Sequence, residues 1–317
     1  MSYFSAYQNL PWLEKNTLFL TKHGSHAYGL NTPTSDLDVK GFAVPPKEYY
    51  LGFVNRFEQA ESHNEKFDIV IYEIQKFFKL AADCNPSIIE VLWTAPEDHL
   101  VVHPVMERIF AARDLFLSKR ARWSFSGYAI AQLKRIRTHR SWLLNPPKKK
   151  PERVDFSLPE HSLLSPDIRG ILENLGDELV GNEFPSHVVQ VFHNERAYHN
   201  AVSHFKQYEN WKNTRNPLRA ANEQQFGYDT KHAMHLVRLM TMAEEILTGK
   251  GVVVKRPDRD FLLSIRNGAW TYDELMVYVD AHGDEYMNDL YEKSTIPHSP
   301  HRKALDTLCI SVIESIL

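Results

Sequence analysis

An α/β domain over residues 1–115, followed by a mostly α-helical domain over 116–317, is the fold class that three observations predict. Two runs of strand length, Thr17–Lys22 and Phe67–Tyr72, are apolar or β-branched and bounded by turn formers. From Ile74 onward the apolar period lengthens to that of a helix, and the second half of the chain stays helical. With 317 residues, 43% of them hydrophobic and 24% charged, the chain is long enough to bury two cores.

In order along the chain, Tyr3, Phe4, Tyr7, Leu10, Trp12 and Leu13 form a short helix or packed arm, broken near Pro11. The strand Thr17–Lys22 runs into a Gly24-Ser25 turn and a loop of turn formers. A second strand then opens with Asp36 and Asp38 and stops at Pro45-Pro46, which lack the N–H donors of a ladder. Lys47–Val54 reads as a short irregular or helical connection and Asn55–Lys66 as a polar hairpin or loop. In Phe67–Tyr72, Asp68, Val70 and Tyr72 share a face, with Glu73 one residue beyond. Ile74, Phe77, Phe78 and Ala81 mark a helix closed by Asp83–Asn85, Asn85-Pro86-Ser87 opens the next, and Met106–Leu117 completes the domain.

The second half begins with a basic helix around Gln132–Arg140 and an exposed Pro146–Pro151 loop. Short helices and loops are expected over 157–186, then a long helix, Val188–Trp211, with Val191, Phe192, Ala197, Val202, Phe205 and Tyr208 inward. Asp229 or Thr230 can cap a helix that runs to Leu247 and stops at Gly249. Thr271 and Glu274 have capping-box spacing ahead of a helix ended by Gly283, and Ala304–Leu317 is a last amphipathic helix.

The chemistry concentrates at Gly24-Ser25 and Asp36-Leu37-Asp38. Residues i and i+2 of a strand face one way, so two carboxylates converge where they can ligate hard divalent cations. Gly24 permits close backbone approach and Ser25 adds a hydroxyl beside exposed N–H groups, which suits phosphate oxygens. Each element alone is common; together, after a strand and eleven positions apart from Ser25 to Asp36, they form a pattern. That pattern resembles the Gly-Ser, Asp-x-Asp signature of the DNA polymerase beta-type nucleotidyltransferase superfamily. The wording Tyr28-Gly29, Ser35-Asp36-Leu37-Asp38-Val39-Lys40-Gly41 and Asn85-Pro86-x-x-x-Glu90-x-Leu92-Trp93 is similar to its RNA-repair branch, carried beside RNA ligases.

The resemblance implies a polymerase-beta-like domain with a mixed sheet, and NMP transfer from an NTP to a hydroxyl, at the 3′ end of an RNA such as tRNA. It implies two Mg2+ ions, with Mn2+ able to substitute, on Asp36, Asp38 and a third carboxylate from a neighbouring strand. Asp68 is the first acidic residue in such a place, and Glu73 is the rival. Gly24, Ser25 and Ser35 would serve the nucleotide, and an RNA ligase would act in the same pathway. Gly227-Tyr228-Asp229-Thr230-Lys231-His232 also matches the branch. Within and after it Lys231, His235 and Arg238 form a cationic stripe opposite the apolar one, expected to face the cleft between the domains and hold phosphates.

A net charge of −3 leaves RNA binding to local patches, for which Lys134, Arg137 and Lys148, Lys149 and Lys150 are the candidates. Two cysteines make no disulfide framework, the sixteen histidines form no zinc motif, and no run approaches eighteen apolar residues. A cytoplasmic protein without a membrane partner is expected. Two other readings stand beside RNA end transfer: nucleotidylylation of a small molecule or protein side chain, and a catalytically silent nucleotide- or RNA-binding module. Intact Ser25, Asp36 and Asp38 weigh against the last.

Overall fold

A computed structural model describes residues 3–63, 67–162, 165–168, 170 and 185–317. Most of the segment 157–186 lies outside the described residues. The chain divides into two compact units, Met1–Ile136 with Thr230–Leu317, and Arg137–Asp229.

The first unit is built on a five-stranded mixed sheet, flanked by helices, of β1 (Thr17–His23), β2 (Leu37–Ala43), β3 (Gln59–His63), β4 (Phe67–Glu73) and β5 (His99–Val102), in the order β3-β4-β2-β1-β5. The β2–β4 pair is parallel; β1–β2, β1–β5 and β3–β4 are antiparallel. The polar stretch before Phe67 therefore becomes the edge strand β3. On one face Leu20, Val39, Ala43, Ile69 and Ile71 close over Tyr7 and Leu13 of the N-terminal arm. On the other, Phe42 meets Phe77 at 4.3 Å between ring centroids, which docks the helix Ile74–Ala82. Burying each such ring contributes about 1.5–3 kcal/mol.

Glu73 is the last strand residue rather than one beyond it. It is buried, accepts hydrogen bonds from Lys76 N and Tyr50 Oη, and so caps the following helix. β2 begins at Leu37, which leaves Asp36 exposed just ahead of the strand that it was expected to open.

The C-terminal part adds helices to this unit. Number α1 as Gly24–Tyr28, α2 as Pro86–Ile89, α3 as Thr230–Leu247, α4 as Arg259–Arg266 and α5 as Arg302–Ile316. The helix α5 buries Leu305, Cys309, Val312 and Ile313, while His301 N donates to Leu115 O at 3.0 Å and Lys119 N to Pro297 O at 2.8 Å. The capping box at Thr271 and Glu274 forms as its spacing predicts, and a helix not foreseen, Asp284–Lys293, follows Gly283.

The second unit holds the distal part of the helix Ala121–Leu144, the long helix Ser186–Thr214 and the helix Pro217–Phe226. Its aromatic centre gathers His139, Trp142, His204, Tyr208 and Trp211, with Trp142 Nε1 donating to His204 Nε2 at 2.9 Å. In the long helix Ala197, expected inside, is exposed, and Glu195 is buried in its place against Arg153. An ion pair took a core position that periodicity had given to alanine.

Candidate active site

Register brings the central carboxylates together. In the parallel pair Asp38 of β2 lies opposite Asp68 of β4, so the two share a face of the sheet. Asp38 also pairs across β1 with His23, the residue before Gly24. Gly24 has φ +60°, and a Cβ placed there would stand 2.0 Å from Asp38 Oδ2. The Gly-Ser turn is thus laid directly on the Asp38 carboxylate, and only glycine fits. Ser25 is half-buried in α1; Ser35 accepts from Thr32 N at 2.9 Å and shapes the loop toward Asp36.

Burial, and after it the neighbouring Asp68, raises the Asp38 pKa from its ordinary value, while Lys40 and Lys231 pull it down. His63 Nδ1 stands 2.8 Å from Asp68 Oδ1. The carboxylate oxygens of Asp36, Asp38 and Asp68 do not all lie within 4.8 Å of one another. An all-oxygen set with this mutual repulsion fits a hard divalent cation. The rival Glu73 is opposite Ala43, five residues along β4, and is occupied as a cap.

The three cations expected along one stripe of α3 part company. Lys231 is exposed and within electrostatic reach of Asp38; His235 is half-buried. Arg238 is buried, 2.7 Å from Glu90 Oε1 and with its guanidinium 3.9 Å from the Tyr28 ring centroid. Its place on an open polar face is therefore corrected. The helix α3 is covered on more sides than its apolar stripe implies, and an ion pair covers the side bearing Arg238.

Sequence reasoning passed over Lys40 although it stands two residues from Asp38, the spacing that defines a shared face. Its Nζ donates to Ser87 Oγ at 2.7 Å and Ser87 O at 3.1 Å, at the start of α2, and burial lowers its pKa. Arg259 Nε and Arg266 Nη1 donate to Gly29 O at 2.6 Å and Leu30 O at 3.2 Å, just past the C-terminus of α1. No local signal could have paired residues more than 200 positions apart.

In the second unit His139, Glu223 and Asp229 form the one set of three among the described residues whose ligand atoms lie within 4.8 Å. Arg215 contacts Glu223 at 3.0 Å and Arg219 contacts Asp229 at 2.7 Å, so the two carboxylates already have two cations. Charge balance there leaves no deficit for a metal to fill. Lys134, Arg137 and Lys148–Lys150 are exposed, with Lys149 bonded to Asp155 at 2.7 Å.

The mixed sheet juxtaposes Asp38 and Asp68 beneath a Gly-Ser turn, the arrangement that the sequence motif led us to expect. Residues 6–146 match the family model described as RlaP, RNA repair pathway DNA polymerase beta family. The chain is similar to an uncharacterized 38.9 kDa protein of the nrdC-mobD intergenic region of Enterobacteria phage T4, 36% identical over 89 residues. That match spans 26% of this chain and 26% of the phage protein. The recognition and the fold read from the motif hold. Among the described residues, no helix is long and apolar enough to cross a membrane.

Proposed function

We propose that the protein transfers an NMP from an NTP to a hydroxyl at the 3′ end of an RNA, such as a damaged tRNA, in a pathway shared with an RNA ligase. The observation that carries this reading is the register pairing of Asp38 with Asp68 beneath Gly24. The turn at Gly24 and Ser25, with Ser35 shaping the following loop and Lys231 and His235 from α3, binds the triphosphate. Two magnesium ions, or manganese in their place, would be held by Asp36, Asp38 and Asp68 and supply neutralising charge at the attacking and leaving oxygens. The acceptor oxygen attacks the α-phosphorus, the bond to the bridging β-phosphate oxygen breaks, and pyrophosphate leaves. Asp68, on the neighbouring strand, receives the hydroxyl proton. Lys134, Arg137 and Lys148–Lys150 offer exposed cations to the RNA backbone.

The test supplies each of the four NTPs, labelled at the α- or the γ-phosphate, with Mg2+ and total RNA. Label from the α position should enter RNA and label from the γ position should not. Label entering a protein or small molecule instead would transfer the reading to another acceptor, and γ-label in RNA would overturn NMP transfer altogether.

A further inference from the structure

The helix α1 carries the Gly-Ser turn, yet a helix of five residues has no stability of its own. What fixes it is buried and comes from elsewhere in the chain. Tyr28, at its last position, donates its hydroxyl to Glu90 Oε2 at 2.5 Å. His23, immediately before Gly24, has Nε2 3.5 Å from the same oxygen. The two residues that flank the turn therefore converge on one carboxylate oxygen. Glu90 is fully buried and needs a compensating charge, which Arg238 supplies at its other oxygen. Arg238 also covers the Tyr28 ring and donates to Met242 Sδ at 3.0 Å. At the exit of α1, the carbonyls of Tyr28, Gly29 and Leu30 accept from Arg256 N, Arg259 Nε and Arg266 Nη1. The Tyr28 carbonyl is among the acceptors that a helix C-terminus leaves without intrahelical partners, and those of Gly29 and Leu30 follow directly after it.

We propose that Glu90 and Arg238 are positioning residues that hold the Gly24-Ser25 turn in register over Asp38, and that Arg238 acts through Tyr28 and Glu90 rather than by touching the nucleotide. Because Arg238 lies on the helix that begins with Thr230 and Lys231, the same pair sets Lys231 relative to the turn. This inference rests on the reading of the turn as a triphosphate site. The Glu90–Arg238 pair is close to neutral as a unit, so it adds little field at the phosphates. A direct contact would do the opposite.

The test compares Glu90→Gln, Arg238→Lys, Arg238→Gln and the double variant Glu90→Gln/Arg238→Gln with the wild type. It measures the thermal midpoint, the affinity for each Mg-NTP at low and high salt, and amide hydrogen exchange over 24–30. Each single variant should bind about tenfold more weakly with the salt dependence of the wild type, and exchange faster over 24–30. The double variant leaves no buried charge uncompensated, so it should recover the midpoint but not the affinity. Affinity that returns together with the midpoint would reduce the pair to a stability contact. A shallower salt dependence in Arg238→Gln, with Arg238→Lys like wild type, would make Arg238 a direct ligand; either result overturns the proposal. Should the double variant not fold, Arg238→Lys decides by affinity and exchange. If the wild type binds no Mg-NTP, the triphosphate reading fails by itself, and the exchange of 24–30 alone decides the positioning role, unchanged exchange in the variants overturning it.

Discussion

Three acidic side chains within one sheet stand in different company because backbone register places them so. Asp38 and Asp68 face each other, whereas Glu73 lies opposite Ala43 and caps a helix. Asp38→Asn should lower NMP transfer by about a thousandfold or more with an unchanged far-ultraviolet spectrum, since no neighbour replaces a lost ligand. Asp68→Asn should lose turnover more than NTP affinity. Glu73→Gln should retain turnover and lower stability by about 1 kcal/mol through a weakened cap, read as a shifted urea midpoint. Gly24→Ala forces a methyl into the Asp38 carboxylate at a positive φ. It should therefore impair transfer about as severely as the loss of a ligand; near-native turnover would mean that the turn and Asp38 separate freely in solution.

At the scale of elements, α3 carries both an exposed and a buried cation, and these predict different phenotypes. Lys231→Ala should weaken NTP binding by about ten- to a hundredfold, the loss of one charged bond, without unfolding the protein, as an unchanged far-ultraviolet spectrum would show. In the second unit the Glu223 carboxyl is pushed up to about 7, first by burial and then by Asp229, against the pull of His139 and Arg215. A carboxyl whose folded pKa is raised stabilises the fold while protonated. Its contribution is complete below the ordinary glutamate range and is lost as pH rises through about 7. The stability of the unit holding Glu223 should thus decline between about pH 5 and 8, and Glu223→Gln should flatten that decline in a series of thermal melts.

For the whole molecule, the stretch that carries the family pattern is not the stretch that makes a compact body. Residues 6–146 match the family, but Thr230–Leu317 belongs to the same compact unit as Met1–Ile136. A chain cut to residues 1–146 would expose the apolar surface that α5 covers and leave Glu90 without Arg238. It should be expressed insoluble or digest rapidly in limited proteolysis, while the full chain resists. A soluble 1–146 fragment with a cooperative melt would show that the returning helices are accessory to the fold.

The sequence by itself determined the parts that rest on short-range rules. Strand runs, the Pro45-Pro46 stop, the capping box at Thr271 and the helix to Leu247 follow from periodicity and capping, which act over a few residues. The Gly-Ser and Asp-x-Asp pattern was legible for the same reason, since its residues lie close together in the chain. The environment of each charge was decided only in three dimensions. Helical spacing placed Arg238 beside Lys231, but spacing does not say what packs against a face. Glu90, 148 positions away, turned one cation into a buried ion pair and left the other exposed. Likewise the pairing of Asp38 with Asp68 is a matter of parallel register, and the grip of Arg259 and Arg266 on Gly29 and Leu30 requires the chain to return across more than 200 residues. Such contacts form because buried charges and open carbonyls must find partners, and the chain's path decides which partner is near.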